Sequence, residues 1–427
     1  MSVGSVVSED HPIRVHWTEE DYEDRAGLVL AFAETAWDVQ VDALGFAPPV
    51  LPDDADGPEL DIYLDDVGEF EGYTVQTDWV DAFLGDGRMS TSAWIVFDQD
   101  LPEEWLGPYT VHEFNHVLQI ATDFTESRPT LWEATATAAQ EWTLGEDSLW
   151  DDDVADFQET PWISALTGGG ESEGASPFFE YGAALWVKHL EEVVGLGPQA
   201  GALLWEAAAQ EGLDPEPDVV DAFAELAGDG DLAVALDELA ITRILTGERH
   251  RAGGLVDAAA WSDDRTVQAS RWNRGDQGTT YNHVEITGQW FRRYLRESTV
   301  ADVEISVEGE VSAILAVVGR DGVTTSKDRV AVAPGEELFI AVSRLPPEGW
   351  DGDDEQIPGG FSVSLSVDSG IDLDLDSIEL DPPTACSGCE GACGGACSGN
   401  PTSFLPLGLL LGPWARRRQR SSRARIR

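Results

Sequence analysis

Histidine is scarce in this 427-residue chain, seven in all, yet two stand four residues apart in TVHEFNHVLQ, residues 110–119. On a helix that spacing brings His112 and His116 to one face, so both imidazoles can serve one metal ion, with Glu113 beside them. Zinc (Zn2+) suits such a pair. It takes imidazole nitrogens in a tetrahedral shell and lowers the pKa of a water in its open position to about 7. Glu113 is then placed to take the proton as that water attacks a peptide carbonyl. In a chain with so few histidines, the pattern arises by chance on the order of 0.01 times. The bland alternative is a helix with two hydrogen-bonded histidines and a surface glutamate.

A catalytic zinc site takes three protein ligands and leaves one position open. Gln119 stands three residues after His116, and no HxxGxxH extension follows, which excludes the metzincin pattern. A second helical segment, TLWEATATAAQEW, covers residues 130–142. It offers Glu133 and Glu141 as third ligands. Small residues at Ala134, Ala136 and Ala138 would let this helix come close enough to the first to share an ion. Thr130 followed by Glu133 also reads as a capping box, which needs no metal.

The segments HEFNHVLQ and WEATATA resemble the gluzincin peptidases, in which a Glu on the following helix ligates zinc. The resemblance implies Glu133 as the third ligand, at a spacing slightly shorter than usual. EYGAALW, with Tyr181, is similar to the Tyr-bearing helix of gluzincin aminopeptidases, which implies an oxyanion donor. There the Tyr stands three residues before the Gly, a place filled here by Phe179; a packed helix tyrosine is the alternative. His189 and His283 are weaker candidates for the same role. The Gly-x-Met-Glu-Asn strand of aminopeptidases finds only GRMST, residues 87–91, without a carboxylate, which favours cleavage within chains. Ala93–Phe97 is then the candidate edge strand for extended substrate.

Residues 10 to about 290 also resemble a family of predicted envelope metalloproteases described from myxobacteria. The likeness runs through AWDVQVDALGFAPPV, DIYLDDVG, HEFNHVLQ, LWEATATAAQEW, FFEYGAALWVKHLEEVVGLG and GTTYNHVEI. It implies a zinc peptidase without naming a substrate beyond protein or peptide.

The elements that must position these residues follow from periodicity. Thr18 should cap a helix from about Glu19 to Leu44, with Ala26, Leu30, Ala33, Trp37, Val41 and Leu44 as its buried stripe. Strands are expected at Leu60–Leu64 and Ala93–Phe97. From Pro108, read as first-turn, to about Gly247 the pattern is helical, with breaks at Ser127–Pro129, Gly168–Gly174, Gly195–Pro198 and Gly212–Pro217. After Thr279, alternation at Val303–Val307, Ile314–Val318, Val330–Val332, Leu338–Val342 and Phe361–Val367 argues an antiparallel β-sandwich. The expected fold is therefore α+β, and the gluzincin resemblance makes its first part zincin-like. Residues 1–278 form a mainly helical metallopeptidase domain with a small N-terminal sheet, and 279–370 the sandwich. An acidic then Cys/Gly-rich linker at 371–400 and a tail at 401–427 complete it. A non-catalytic envelope binding protein, using the sandwich on a degenerate peptidase scaffold, is the rival from another class.

A net charge of −56, with 81 acidic residues against 25 basic ones, excludes nucleic acid as a partner, because no basic face exists for phosphates. It fits either adaptation to high salt or plain solubility. All four cysteines, Cys386, Cys389, Cys393 and Cys397, fall in the Gly-rich stretch, so the peptidase part holds neither disulfide nor thiol nucleophile. A zinc or disulfide knot is the alternative reading of that stretch. The run Phe404–Ala415 is too short to span a bilayer, and seven arginines follow it. Cys motif, apolar segment and basic end together resemble myxobacterial C-terminal sorting tails. That implies an exported, envelope-associated or secreted protein whose tail engages membrane or sorting machinery, with an N-terminal signal lost to a late start.

Overall fold

The computed structural model describes residues 3–369, apart from 53–56, 69–70, 78–81, 84–88, 125, 127, 146–147, 169–174, 210–216, 262–267, 270–278, 296–300 and 351–360. The expected breaks at Ser127–Pro129, Gly168–Gly174 and Gly212–Pro217 fall wholly or partly outside the described residues, as do GRMST in part and the whole Cys/Gly stretch and tail. The fold is α+β.

Its N-terminal sheet holds β1 (Gly4–Val7), β2 (Ile13–Trp17), β3 (Leu60–Asp65), β4 (Gly72–Gln76) and β7 (Ala93–Asp98), ordered β1-β2-β3-β7-β4; β5 (Ala82–Phe83) and β6 (Met89–Ser90) pair apart from it. The inner three strands run parallel, and β1 and β4 are antiparallel edges. Strict alternation builds the sheet's inner face: Ile13, Val15 and Trp17 on β2 and Leu60, Ile62 and Leu64 on β3 are buried against α1 (Glu23–Ala36) and the helices behind it. The strand Ala93–Phe97, expected at the edge, lies instead between β3 and β4. Among the described residues β4 ends the sheet on that side; it is a five-residue strand with a single buried position, which leaves little apolar signal in the sequence.

The first helix begins with a short 3₁₀ turn at Glu20–Tyr22 and widens after Ala36 into a π-helical turn, Trp37–Ala43. Thr18 does not cap it. Its hydroxyl turns to Leu64 O, Asp65 and Gln99 instead, joining the strand ends. Of the expected stripe, Ala26, Leu30, Ala33 and Leu44 are buried, while Trp37 and Val41 are half-buried.

α2 (Glu103–Thr122) carries TVHEFNHVLQ and is buried from Leu106 to Thr122 except at His116, which is half-buried. It starts five residues before Pro108, so that proline is interior, not first-turn. Glu103 and Glu104 instead occupy the first turn, where acidic groups complement the helix dipole. α3 (Pro129–Leu144) opens on Pro129 at its first position and packs antiparallel-fashion beside α2, with Trp132 O near Gln119 and Gln140 near His112; Ala134, Ala136 and Ala138 are buried. Its N-cap is Arg128, so Thr130 stands inside the helix and not at the cap position that a capping box needs.

α4 (Trp150–Glu159), α5 (Phe179–Gly182), α6 (Ala184–Lys188), α7 (Ala200–Ala208), α8 (Val219–Gly228) and α9 (Leu232–Ile244) complete the helical body. A Cβ at Gly182 would sit 2.7 Å from Phe157 Cβ and closer still to Asp153 O. Glycine there lets α5 lie directly on α4, which sets the position of Tyr181.

The C-terminal part is a sandwich of two sheets. One is ordered β13 (Gly322–Ser326), β12 (Val311–Gly319), β15 (Glu337–Arg344), β10 (Gln289–Leu295), β8 (Gln268–Ala269); the other is β14 (Arg329–Val332), β11 (Ala301–Glu308), β16 (Phe361–Ser369), β9 (Thr279–Val284). Every expected strand is present inside these limits. Val303, Leu315, Val317, Val330 and Ile340 fill the space between the sheets. The other face of β12 and β15 packs Ile314, Ala316, Phe339 and Ala341 against Ala240 and Ile244 of α9. Burial on both faces explains the nearly continuous apolar run of β12. The boundary at 278/279 is blurred accordingly. β8 precedes it yet joins the sandwich, and buried Arg243 of α9 donates to Gln158 Oε1 at 2.7 Å, Phe157 O at 3.0 Å and Gln289 Oε1 at 3.3 Å, tying both parts together.

Candidate metal centre

α2 presents the two imidazoles one turn apart, ring centroids 4.8 Å from each other and nearly perpendicular. α3 brings Glu133 to both. Its Oε2 lies 3.0 Å from His112 Nε2 and 3.6 Å from His116 Nε2. The donor set His112, His116, Glu133 thus converges on one point, while Glu113 flanks the histidines within a group whose ligating atoms lie within 4.8 Å. Two imidazole nitrogens and a carboxylate oxygen are a donor set that suits zinc.

Glu113 is buried and held from the edge strand. Thr74 Oγ1 of β4 lies 2.8 Å from Glu113 Oε2 and 2.9 Å from Glu113 O. With a single proton to give, the Thr74 hydroxyl donates to the carboxylate when it is ionised, and to the backbone carbonyl when the carboxyl group is protonated and donates to Thr74. The arrangement accommodates both states of an acid–base group.

Electrostatically the centre is a compact ion pair. Burial alone would drive His116 towards neutrality, but the Glu133 carboxylate wins and raises its pKa to about 9. Burial likewise opposes ionisation of Glu133, and the two histidines overcome it, lowering the carboxyl to about 2. Tyr181 is buried with its ring centroid 5.8 Å from that of His112. Burial first, then the charges of Glu133, Glu180 and Glu113, hold its phenol well above the usual range, so it stays a hydrogen-bond donor. Phe179, where the gluzincin register would put the tyrosine, packs instead on Phe157 at 5.0 Å.

Glu141 and His189 have other partners. Glu141 pairs with buried Lys188 at 2.8 Å, alongside Glu191 and Glu192. His189 is buried and bonded through Nδ1 to Thr242 Oγ1 at 2.8 Å; burial lowers its pKa to about 3 and keeps it neutral. His283 lies on β9 of the sandwich.

Sequence reasoning missed Thr74 and the amides around the histidines, Gln40, Asn115, Gln119 and Gln140. Gln119 carried a legible signal: it stands one turn after His116 on the same face. The others are set by contacts between segments far apart in the chain.

No family model matches the chain, and no curated protein matches it. Among solved structures it is similar to periplasmic inhibitors of g-type lysozyme from Salmonella Typhimurium and Aeromonas hydrophila, at 10% and 8% identity. These likenesses cover 24% of this chain and 97% and 96% of the inhibitors, each with a TM-score of 0.17, too low to carry any argument about fold or function.

Proposed function

We propose that this chain is a zinc metallopeptidase with a zincin-like, gluzincin-type domain, cleaving within protein or peptide chains and working outside the cytoplasm. One observation carries the reading. A tetrahedral zinc with ligands at 2.0–2.1 Å has edges of about 3.3 Å. The Glu133 oxygen lies 3.0 and 3.6 Å from the two histidine nitrogens, on either side of that edge. His112, His116 and Glu133 would hold the ion.

When bound there, zinc supplies Lewis acidity towards a carbonyl oxygen and a water. Glu113 takes the proton of the attacking water and returns it to the departing amine, a role its switchable bond with Thr74 suits. Tyr181, kept protonated by its buried and anionic surroundings, donates to the oxygen that gains charge. An extended substrate pairs along the outer edge of β4, the end strand of the sheet among the described residues, whose Thr74 already touches Glu113, so the scissile carbonyl is delivered beside the base. Export rests on the sequence of the tail, and among the described residues no helix is long and apolar enough to cross a membrane.

The test is Glu113→Gln. It should keep stoichiometric zinc by metal analysis while hydrolysis of a peptide library falls by at least about 10²-fold, the low end of a general base's contribution. A purified wild-type protein that takes up no zinc, or a Glu113→Gln variant with full activity, rejects the proposal.

A further inference from the structure

Three buried amides form an unbroken line from the first helix to the metal centre. Gln40, on the π-helical turn, donates from Nε2 to Val111 O at 3.1 Å and to Thr143 Oγ1 at 3.4 Å. Its Oε1 accepts from Asn115 Nδ2 at 2.9 Å. Asn115 Oδ1 accepts from Gln119 Nε2 at 2.7 Å, and the same nitrogen donates to Trp132 O at 3.0 Å. Gln119 Oε1 then faces His116 Nδ1 at 2.7 Å. Gln40, Asn115 and Gln119 are all fully buried, so water cannot relieve a misoriented amide.

The two ends of this line fix its sense. Backbone carbonyls only accept, so Val111 O and Trp132 O require the NH₂ groups of Gln40 and Gln119 to face them. Turning over any one amide would set oxygen against oxygen or N–H against N–H. With all three orientations fixed, Gln119 presents an acceptor to His116, and Nδ1 of that ring must carry a proton. The site has a natural contrast in His112. There Leu149 N–H donates to Gln140 Oε1 at 3.2 Å, so the Gln140 side chain turns its amide nitrogen, not an acceptor, towards Nδ1 at 3.3 Å.

We infer that Gln119, oriented through Asn115 and Gln40, is a positioning residue that locks a proton on His116 Nδ1 and so commits Nε2 of that ring to the metal. The inference rests on the metal-site reading, but its primary observable needs no metal. The relay explains why a glutamine stands one turn beyond the second histidine, and why the first helix widens into a π-turn where Gln40 projects onto α2.

The experiment uses the full chain, labelled with ¹⁵N-histidine and stripped of metal by chelator. Long-range ¹H–¹⁵N correlation at pH 10, above the value of about 9 to which Glu133 raises the metal-free ring, should show the neutral His116 protonated on Nδ1 before zinc is added, and still protonated there after. Gln119→Leu should lose that hydrogen-bonded proton signal and weaken zinc binding 10–100-fold in competition with a chromophoric chelator, the usual cost of an outer partner of a metal-bound histidine. Gln119→Glu, which restores an acceptor, should recover the Nδ1 proton signal. A wild-type His116 protonated only on Nε2 overturns the inference, as does a folded Gln119→Leu protein with wild-type zinc affinity. Failure of the wild type to bind zinc would reject the peptidase reading alone; the Nδ1 signal would still decide the relay.

Discussion

Glu133 and Glu141 were rival third ligands in the sequence, and the structure gives them opposite consequences when removed. Glu133→Ala takes away the oxygen that sits between the two histidines, and with it the charge that lifts His116 from 6.5 to about 9. At about 1.4 kcal/mol per pKa unit, that shift represents about 3 kcal/mol of interaction in the metal-free protein, in a site where the His116 side chain is only 12% exposed. The sign follows from the direction. A raised histidine pKa contributes stability that is complete below pH 6.5 and lost as pH rises through about 9, so metal-free wild type should weaken across that window and Glu133→Ala should not. Zinc affinity should fall by more than about 100-fold, because removing merely an outer partner of a ligand costs 10–100-fold. Glu141→Ala leaves Lys188 with Glu191 and Glu192 at 2.5 and 3.0 Å; it should lower the melting temperature and leave zinc affinity unchanged. Chelator competition and urea melts of both variants at pH 6.5 and 9 read all of this. Wild-type zinc affinity in folded Glu133→Ala, or loss of zinc in Glu141→Ala, refutes the assignment.

Tyr181→Phe should lower kcat about 10²-fold with zinc affinity and KM nearly unchanged, the signature of a donor used only as charge develops; an unchanged kcat would leave Tyr181 as packing. His189 should make the protein acid-sensitive: its pKa is lowered to about 3 by burial, so folding stability holds above pH 6.5 and is lost as pH falls towards 3, by at most about 5 kcal/mol. His189→Gln, which can still reach Thr242, should flatten the fall in urea midpoint between pH 6.5 and 4, and an unaltered slope would assign the acid lability to other groups.

What was legible in the sequence is what is local. The HExxH helix needs only residues within one turn, and the sandwich strands announce themselves by alternation, so both appear where the periodicity put them. The strands that frame the site were harder. β4 is five residues long with one buried position, and the edge role went to Ala93–Phe97 because that run is more apolar; yet apolarity is what marks it as interior, covered by a strand on each side. The third ligand needed a judgement about which face of α3 meets α2. Glu133 and Glu141 are eight residues apart and would share a face on an ideal helix, so spacing could not separate them; the buried cation at Lys188, 47 residues downstream of Glu141, does. Tyr181 posed the same problem in register. Phe179 and Tyr181 lie half a turn apart, and the contact of Gly182 on α4 decides which ring faces His112. The amide relay was beyond any local reading, since Gln40 and Asn115 meet across 75 residues of chain. A buried polar side chain is costly unless paired, so three in a line leading to one histidine are explained by what they hold at its end. The scarcity of histidine pointed to the proposed metal centre, and the buried amide line ending at His116 is what the proposed relay acts through.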